Sequence, residues 1–344
     1  MLHVALAGSG GETPGSPAFE PPFGPVLGGP TAAVAQIDDQ GCPDAVVTGL
    51  PSYLDGTGGV IGVADVIFID GQLYFLEAAG TEVYANPDTT TGLFRATDDG
   101  TGELVADYAA WLEENPPEEA GWVQPPDIPE EFPNPGNPYA MAFVGDELWM
   151  VDAVNGLVVS MGLDGTIELV ADLSRRHPVP TGIAPAPEGG AYVGTLTAVP
   201  YPDEVAKVVH IAPDGMVTDA WTGLTMVTAV AVDASGTLYA VEMSTDNMEE
   251  PPFVVPDSGR VVRQTGPASL EPVAEDLLFP IALSVGPDDA LYVALPAVGA
   301  DTGSGMIVRL SDSDGHPTMD ETSCAPLAET VNAPQGPVEA TPAT

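Results

Sequence analysis

Positive charge is nearly absent from this chain. Lys and Arg number seven against 51 Asp and Glu, giving a formal net charge of −44, and Lys207 is the single lysine. A surface of that sign repels nucleic acid and anionic membranes, which argues against both as partners. No apolar stretch approaches the about 20 residues needed to span a bilayer, so no membrane insertion is expected. Cysteine is scarce, with only Cys42 and Cys324, and the four histidines His3, His177, His210 and His316 are scattered. That leaves no cysteine metal cluster and no Cys–His nucleophile. A Gly-x-Ser-x-Gly elbow is missing, and Gly8-Ser9-Gly10-Gly11 lacks the lysine of a phosphate loop. Asp312, Asp314, Gly315 and Glu321 match part of a calcium-loop spacing, but Leu310 stands where the first ligand belongs.

What the chain has instead is a repeat. One short strand recurs as Leu2-His3-Val4-Ala5-Leu6, Leu73-Tyr74-Phe75-Leu76-Glu77, Leu148-Trp149-Met150-Val151-Asp152, Ala191-Tyr192-Val193-Gly194-Thr195, Leu238-Tyr239-Ala240-Val241-Glu242 and Leu291-Tyr292-Val293-Ala294-Leu295. The later copies start 43, 47 and 53 residues apart, close to the about 40–50 residues of a propeller blade. An apolar run and a tight turn precede most copies, as in Val66-Ile67-Phe68-Ile69 before Asp70-Gly71. A third strand follows, then another Asp-Gly turn and a fourth strand, as in Lys207-Val208-Val209-His210-Ile211 with Asp214-Gly215. Asp-Gly between β-prone runs is a hairpin signal, because glycine accepts the positive φ such turns demand. The expected fold is therefore all-β, a six-bladed β-propeller of four-stranded antiparallel blades. It should occupy residues 1–315, followed by a disordered Pro/Ala/Thr-rich tail over 316–344.

The two ends of the repeat are incomplete. Blade one has no inner strand before Leu2, and blade six has no good fourth strand after Asp314-Gly315. One upstream stretch would fill both gaps, so a lost N-terminal segment with a signal peptide is expected. The tight turns all fall on one face of the ring. The long insertions, residues 8–30, 50–64, 80–91, 111–138, 196–206, 244–258 and 296–304, all fall on the other. Loop variation on one face of a rigid scaffold is where binding usually lives. Tyr84, Trp111, Trp122 and Tyr201 are the aromatic candidates there.

Val47-Thr48-Gly49-Leu50-Pro51-Ser52, Val105-Ala106-Asp107 running into Glu114-Asn115-Pro116, Asn137-Pro138-Tyr139, Val179-Pro180-Thr181-Gly182 and the repeated Leu-Tyr-Val strands resemble the ScyD/ScyE family. Those are secreted six-bladed propellers related to NHL and SMP-30-like folds. The resemblance runs from Leu2 to about Leu310. It implies the propeller fold and an extracellular or cell-surface location, and no settled activity. The chain departs from the family pattern at Ala64-Asp65, where a His-Asp pair usually stands, and at Ala229, where an acid does. Both losses weaken a metal site at the ring's centre. In the exported setting Cys42, between the third and fourth strands of blade one, and Cys324, past the last strand of blade six, either form a disulfide or stand as separate thiols. A bridge there would be worth about 2–4 kcal/mol.

One constellation of polar residues remains. Glu77, Asp152 and Glu242 share the fifth position of the repeated strand, where it emerges on the loop-rich face. Asp65, Asn137, Tyr139, Thr181 and Thr228 stand at the starts of inner strands, near the channel mouth. Oxygen ligands converging there suit a hard cation such as Ca2+, with Asp65, Asn137 and Asp152 as the first metal ligands to test. The plainer reading is that the acids cap loop amides. Two functions follow. One is an exported, monomeric, non-catalytic propeller whose loops bind a small molecule, glycan or protein. The other is a metal-dependent hydrolase or lactonase of SMP-30 type, with a channel-bound divalent ion polarising a carbonyl.

Overall fold

The structure is a computed structural model that describes residues 2–15, 25–38, 41–56, 58–119, 136–175, 178–250, 252–297 and 305–310. The tail from 316, Trp122, His177, His316, Cys324 and the partial calcium loop lie outside these residues. Six antiparallel sheets follow one another along the chain as the six blades of a β-propeller. Blade one holds β1 (Leu2–Leu6), β2 (Thr13–Pro14), β3 (Leu27–Ile37), β4 (Pro43–Leu54) and β5 (Val60–Ile61). Blade two is β6 (Val63–Ile69), β7 (Gln72–Glu77), β8 (Gly92–Ala96) and β9 (Gly102–Asp107). Blade three is β10 (Pro138–Val144), β11 (Glu147–Asp152), β12 (Leu157–Met161) and β13 (Ile167–Asp172). Blade four is β14 (Pro180–Pro185), β15 (Ala191–Thr195), β16 (Ala206–Ile211) and β17 (Val217–Leu224). Blade five is β18 (Val227–Val232), β19 (Leu238–Glu242), β20 (Gly259–Gly266) and β21 (Ser269–Leu277). Blade six shows β22 (Ala282–Val285), β23 (Leu291–Leu295) and β24 (Met306–Leu310).

Blades two to five have the expected inner-to-outer order, and the repeated strand is second in each. Blade one has no inner strand among the described residues: its sheet starts at β1, which pairs with β3 alone. Two expectations for this blade need correction. Residues 8–30 and 50–64 are not wholly loop, because β3 and β4 run on past the end of β1, pairing up to Leu27 opposite Leu54, and pick up β2 and β5. Gly28, Gly29 and Pro30 made this stretch look like a turn. In fact Gly28 permits close approach, since a Cβ there would sit 2.3 Å from the Ala85 carbonyl oxygen, and Pro30 occupies a register shift between Gly29 and Ala32.

The segment after β9 likewise holds the one α-helix among the described residues, α1 (Tyr108–Glu114). Asp107 caps it by accepting the Ala110 N–H, the Ala, Leu and Glu residues favour it, and Pro116-Pro117 follow its end. Tyr108 and Leu112, one turn apart, bury its inner face. It is not long and apolar enough to cross a membrane.

Five of the blade interfaces carry an apolar core. Phe75 with Val34 and Val47 seals blades one and two; Leu76 with Met150 seals two and three. Trp149 with Val193, Trp221 with Ala240, and Val241 with Val293 seal the next three. Among the described residues, no such cluster joins blade six to blade one.

Candidate functional site

Strand direction puts the connections after the second and fourth strands of each blade on one face, and the longest connections, such as 78–91 and 196–205, are among them. The face has two differently built halves. Over blades one to three it is a polar network. The Asn86 side-chain amide donates to the carbonyls of Ser52, Ala79 and Tyr84, tying the loop after β7 to the extension of β4. The Tyr84 hydroxyl donates to the Gly136 carbonyl at 2.8 Å, and its ring meets Tyr53 edge-on at 5.2 Å. Tyr84 is therefore buried rather than offered to a ligand, contrary to expectation; Trp111 and Tyr201 are half-buried. A shallow recess of about 300 Å³ opens between β2 and the loop after β7, lined by Thr13, Pro14, Gly15, Glu82, Ala85 and Pro87.

Over blades four to six the base is apolar. Met226, Met243 and Phe279 form a small buried cluster against Leu196, Tyr201, Val254, Leu278 and Ala297. The Asn247 N–H donates to Asp203 at 3.0 Å, and its amide reaches the Tyr201 carbonyl, so the loops of blades four and five are tied together. Val179, Thr197, Met226, Phe253 and Phe279 all hold positive φ here. Those are costly conformations that persist only where the surroundings fix them. Val199, Val205 and Met248 stand exposed on the same two loops.

The eight expected site residues lie at this end of the strands, but most face into the blades. Asp152 is fully buried, and five donors meet its carboxylate: the Tyr108 hydroxyl at 2.7 Å, the Asn155 amide at 2.7 Å, and the N–H groups of Asn137, Val154 and Asn155. Asn137 thus meets Asp152 through its backbone. Burial, then the Asp152 charge, push the Tyr108 hydroxyl well above its usual range. Glu242 is fully buried and takes the Thr225 N–H at 2.6 Å and the Arg260 Nε at 2.5 Å. Glu77 is buried and accepts the Ala79 N–H on one oxygen, while its Oε2 has no hydrogen-bond partner among the described residues. Burial raises its pKa to about 8. The strand neighbour that supplies Arg260 opposite Glu242 is Gly92 opposite Glu77. A side chain at Gly92 would meet the Ala106 carbonyl at 2.1 Å.

The inner-strand residues stitch blades together. Each inner strand of blades two to five has a register shift near its start. Thr181 and Thr228 fall in two of these shifts. Thr181 donates to the Val227 carbonyl at 2.7 Å and Thr228 to the Pro280 carbonyl at 3.2 Å, each in the next blade. Asp65 does the same work with a carboxylate, accepting the Met141 N–H of blade three at 2.8 Å and its neighbour Val66 N–H. Burial raises its pKa to about 6. Tyr139 packs against the core between blades three and four, and burial pushes its hydroxyl up. Among the described residues no three His, Cys, Asp or Glu side chains are grouped to hold a metal ion. Cys42 is one half of a disulfide. Sequence reasoning missed Tyr108, Asn155 and Arg260. The last was findable, as one of few cations standing across from Glu242 in the repeat.

No family model and no curated protein matches the chain. Among solved structures, 90% of the chain aligns with 99% of a putative oxidoreductase (glucose dehydrogenase) from Thermus thermophilus, at 14% identity and a TM-score of 0.53. A chain of a nidogen/laminin complex aligns at 15% identity and TM-score 0.50, over 83% of this chain and 89% of that one. A calcium-binding regucalcin from Agrobacterium tumefaciens aligns over 84% of each chain at 15% identity and TM-score 0.42. The likeness, at 14–15% identity, is one of fold alone.

Proposed function

We propose that this protein is an exported, monomeric binding propeller of the ScyD/ScyE kind, which presents the loop face to a glycan, small molecule or protein and performs no chemistry there. The observation that carries this reading is the use made of Asp152 and Glu242. Their oxygens are consumed by loop amides, a tyrosine and an arginine, so they fix loop shape instead of meeting a substrate. Rigid loops lower the ordering cost of binding. The shallow recess beside Glu82 and Pro87 suits an extended ligand better than an enclosed reactant. The test is a turnover screen on lactones and esters with the purified protein supplied with Ca2+, alongside a glycan and peptide binding panel. Binding without turnover is the expected result; robust hydrolysis overturns the reading.

A second reading, the metal-dependent lactonase, draws on one feature. Asp65 is a half-buried carboxylate on an inner strand, with its proton affinity already raised. Ca2+ would have to recruit it away from the Met141 amide. Calorimetric titration with Ca2+ decides: a stoichiometric site lost in Asp65→Asn supports the lactonase, and no heat removes it.

A further inference from the structure

Glu77 lacks two partners that the same repeat position keeps in blade five. There the equivalent Glu242 takes the Thr225 N–H on one oxygen and the Arg260 Nε on the other. Thr225 closes the stretch Trp221-Thr222-Gly223-Leu224-Thr225, and β4 of blade one repeats it as Val47-Thr48-Gly49-Leu50-Pro51. The two stretches match in shape. Gly49 and Gly223 both hold positive φ, Leu50 and Leu224 pair with Ala32 and Ala206, and each leucine is buried against the next blade. Pro51 therefore stands where Thr225 does, and proline has no N–H to give. Gly92 stands where Arg260 does. The acid is kept, while both donors give way to residues that lack the donating group.

The loop that follows Glu77 is closed under strain. Glu77 accepts the Ala79 N–H at the loop's root, and the Asn86 amide ties the loop to the Ser52 carbonyl of β4. Thr81 holds φ of 82° with ψ of 166°, which β-branched residues avoid, and Ala85 is left-handed. The buried Thr81 hydroxyl has no partner among the described residues. The titratable groups on the elements around Glu77 are Asp65 on β6, Arg95 on β8, Tyr53 and Asp55 at the end of β4, and Glu82, Tyr84 and Asp88 in the loop. None of them changes its proton affinity, which burial raises against the pull of the Ala79 and Ala78 N–H groups.

We propose that Glu77 is a proton-operated latch: as a neutral acid it keeps the loop over residues 78–91 closed on blade one, and its ionisation releases that loop. A buried carboxylate with an open oxygen is costly. Neither Pro51 nor Gly92 can answer it, so water must. The loop beginning at Ala78 is the segment whose opening admits water without unfolding a strand. It supplies Glu82, Ala85 and Pro87 to the shallow recess, so the latch sets whether that wall is in place. The open form has the ordinary pKa of 4.5 and the closed form one of about 8. Opening therefore becomes easier as pH rises from the first value to the second, and no easier beyond it.

Hydrogen exchange of the full chain from pH 5 to 9, corrected for the intrinsic pH dependence of exchange, is the test. The amides to follow are Ala79, Thr81, Ala85 and Asn86, each of which donates within the closed loop. Their protection should fall by up to about tenfold per pH unit until about pH 8 and then level off. Thr245 and Val255, in the loop that follows the paired Glu242, should hold steady. Glu77→Gln should abolish the fall. Pro51→Thr, which restores the amide that Thr225 supplies in blade five, should end it at least about one pH unit lower. A fall that survives in Glu77→Gln overturns the proposal, and so does the same fall at Thr245 and Val255, which would belong to the whole molecule. A Pro51→Thr profile that ends where the parent's does overturns it too.

Discussion

Three acids at one repeat position meet three fates, and their neighbours decide which. Asp152 is short and gathers five donors, Glu242 reaches across its strand pair to Arg260, and Glu77 finds Gly92 there instead. The sequence made it plain that an acid closes each of these strands on the loop face. It did not reveal the partners, because those come from a helix, a neighbouring strand and loop backbone that spacing alone does not bring together. Removing one member of the buried pair strands the other. Glu242→Ala or Arg260→Ala should each cost about 3–5 kcal/mol in urea unfolding, and the double variant less than the sum of the two. Glu77 and Asp65 set a pH dependence. Their folded pKa values, about 8 and about 6, lie above their ordinary ones of 4.5 and 3.8. The folded state therefore holds protons that the unfolded state has released. This contribution is fully present below about pH 4 and is lost as pH rises through about 6 and then about 8. Each group adds a slope approaching about 1.4 kcal/mol per pH unit inside its own window. Glu77→Gln should flatten the decline between about pH 6 and 8 and roughly halve it between about 4.5 and 6, where Asp65 still contributes. An unchanged profile in that variant would remove Glu77 from the account.

At the scale of elements, the strands were legible because each is a short Val, Leu and Tyr run between glycine turns. Even an outer strand repeats, with Glu103-Leu104-Val105-Ala106-Asp107 in β9 returning as Glu168-Leu169-Val170-Ala171-Asp172 in β13. Elements that break the period were not legible. β3 contains Gly-Gly-Pro at close approaches and a bulge, and α1 is a single short helix in a proline-rich stretch. The inner-strand register shifts also left no trace, since one extra residue at a strand end reads as a loop. Gly182 lies within one of these, between Pro180 and Ile183. A Cβ there would lie 2.5 Å from both the Ala229 Cα and the Val230 backbone nitrogen of the next inner strand. Those are backbone atoms that cannot rotate aside, so Gly182→Ala must push blades four and five apart and strain the Thr181 bond to Val227. A loss of about 1–3 kcal/mol or more is expected. Gly305, with no described residue near its Cβ position, is the control, and Gly305→Ala should leave the melting temperature unmoved. Equal effects at the two positions would show that the inner ring tolerates more slack than its geometry implies.

For the whole molecule the governing term is charge. Of the seven basic residues, Arg95, Arg175, Lys207, Arg260, Arg263 and Arg309 already hold carboxylate partners. The remaining acids have almost no cation left to answer them, so their mutual repulsion opposes the compact state. Added salt acts on both sides of this balance. It weakens the ion pairs, but all except Arg260–Glu242 are exposed on both partners, and exposed pairs are worth about 0–1 kcal/mol each. It also screens repulsion among dozens of surface carboxylates, because the Debye length shrinks from about 30 Å at 0.01 M to about 3 Å at 1 M. Repulsion is the larger sum, so the melting temperature should rise with NaCl, most steeply at low concentration, where screening changes fastest. A gain of about 1–2 kcal/mol would move it by roughly 1.5–3 °C for a domain of this size. Bound calcium has a different signature: saturation at stoichiometric ion, persistence in molar NaCl, and loss in Asp65→Asn. A melting temperature flat from low to molar NaCl would contradict the charge argument. The fold would then have to hold its carboxylates far enough apart that −44 costs it nothing.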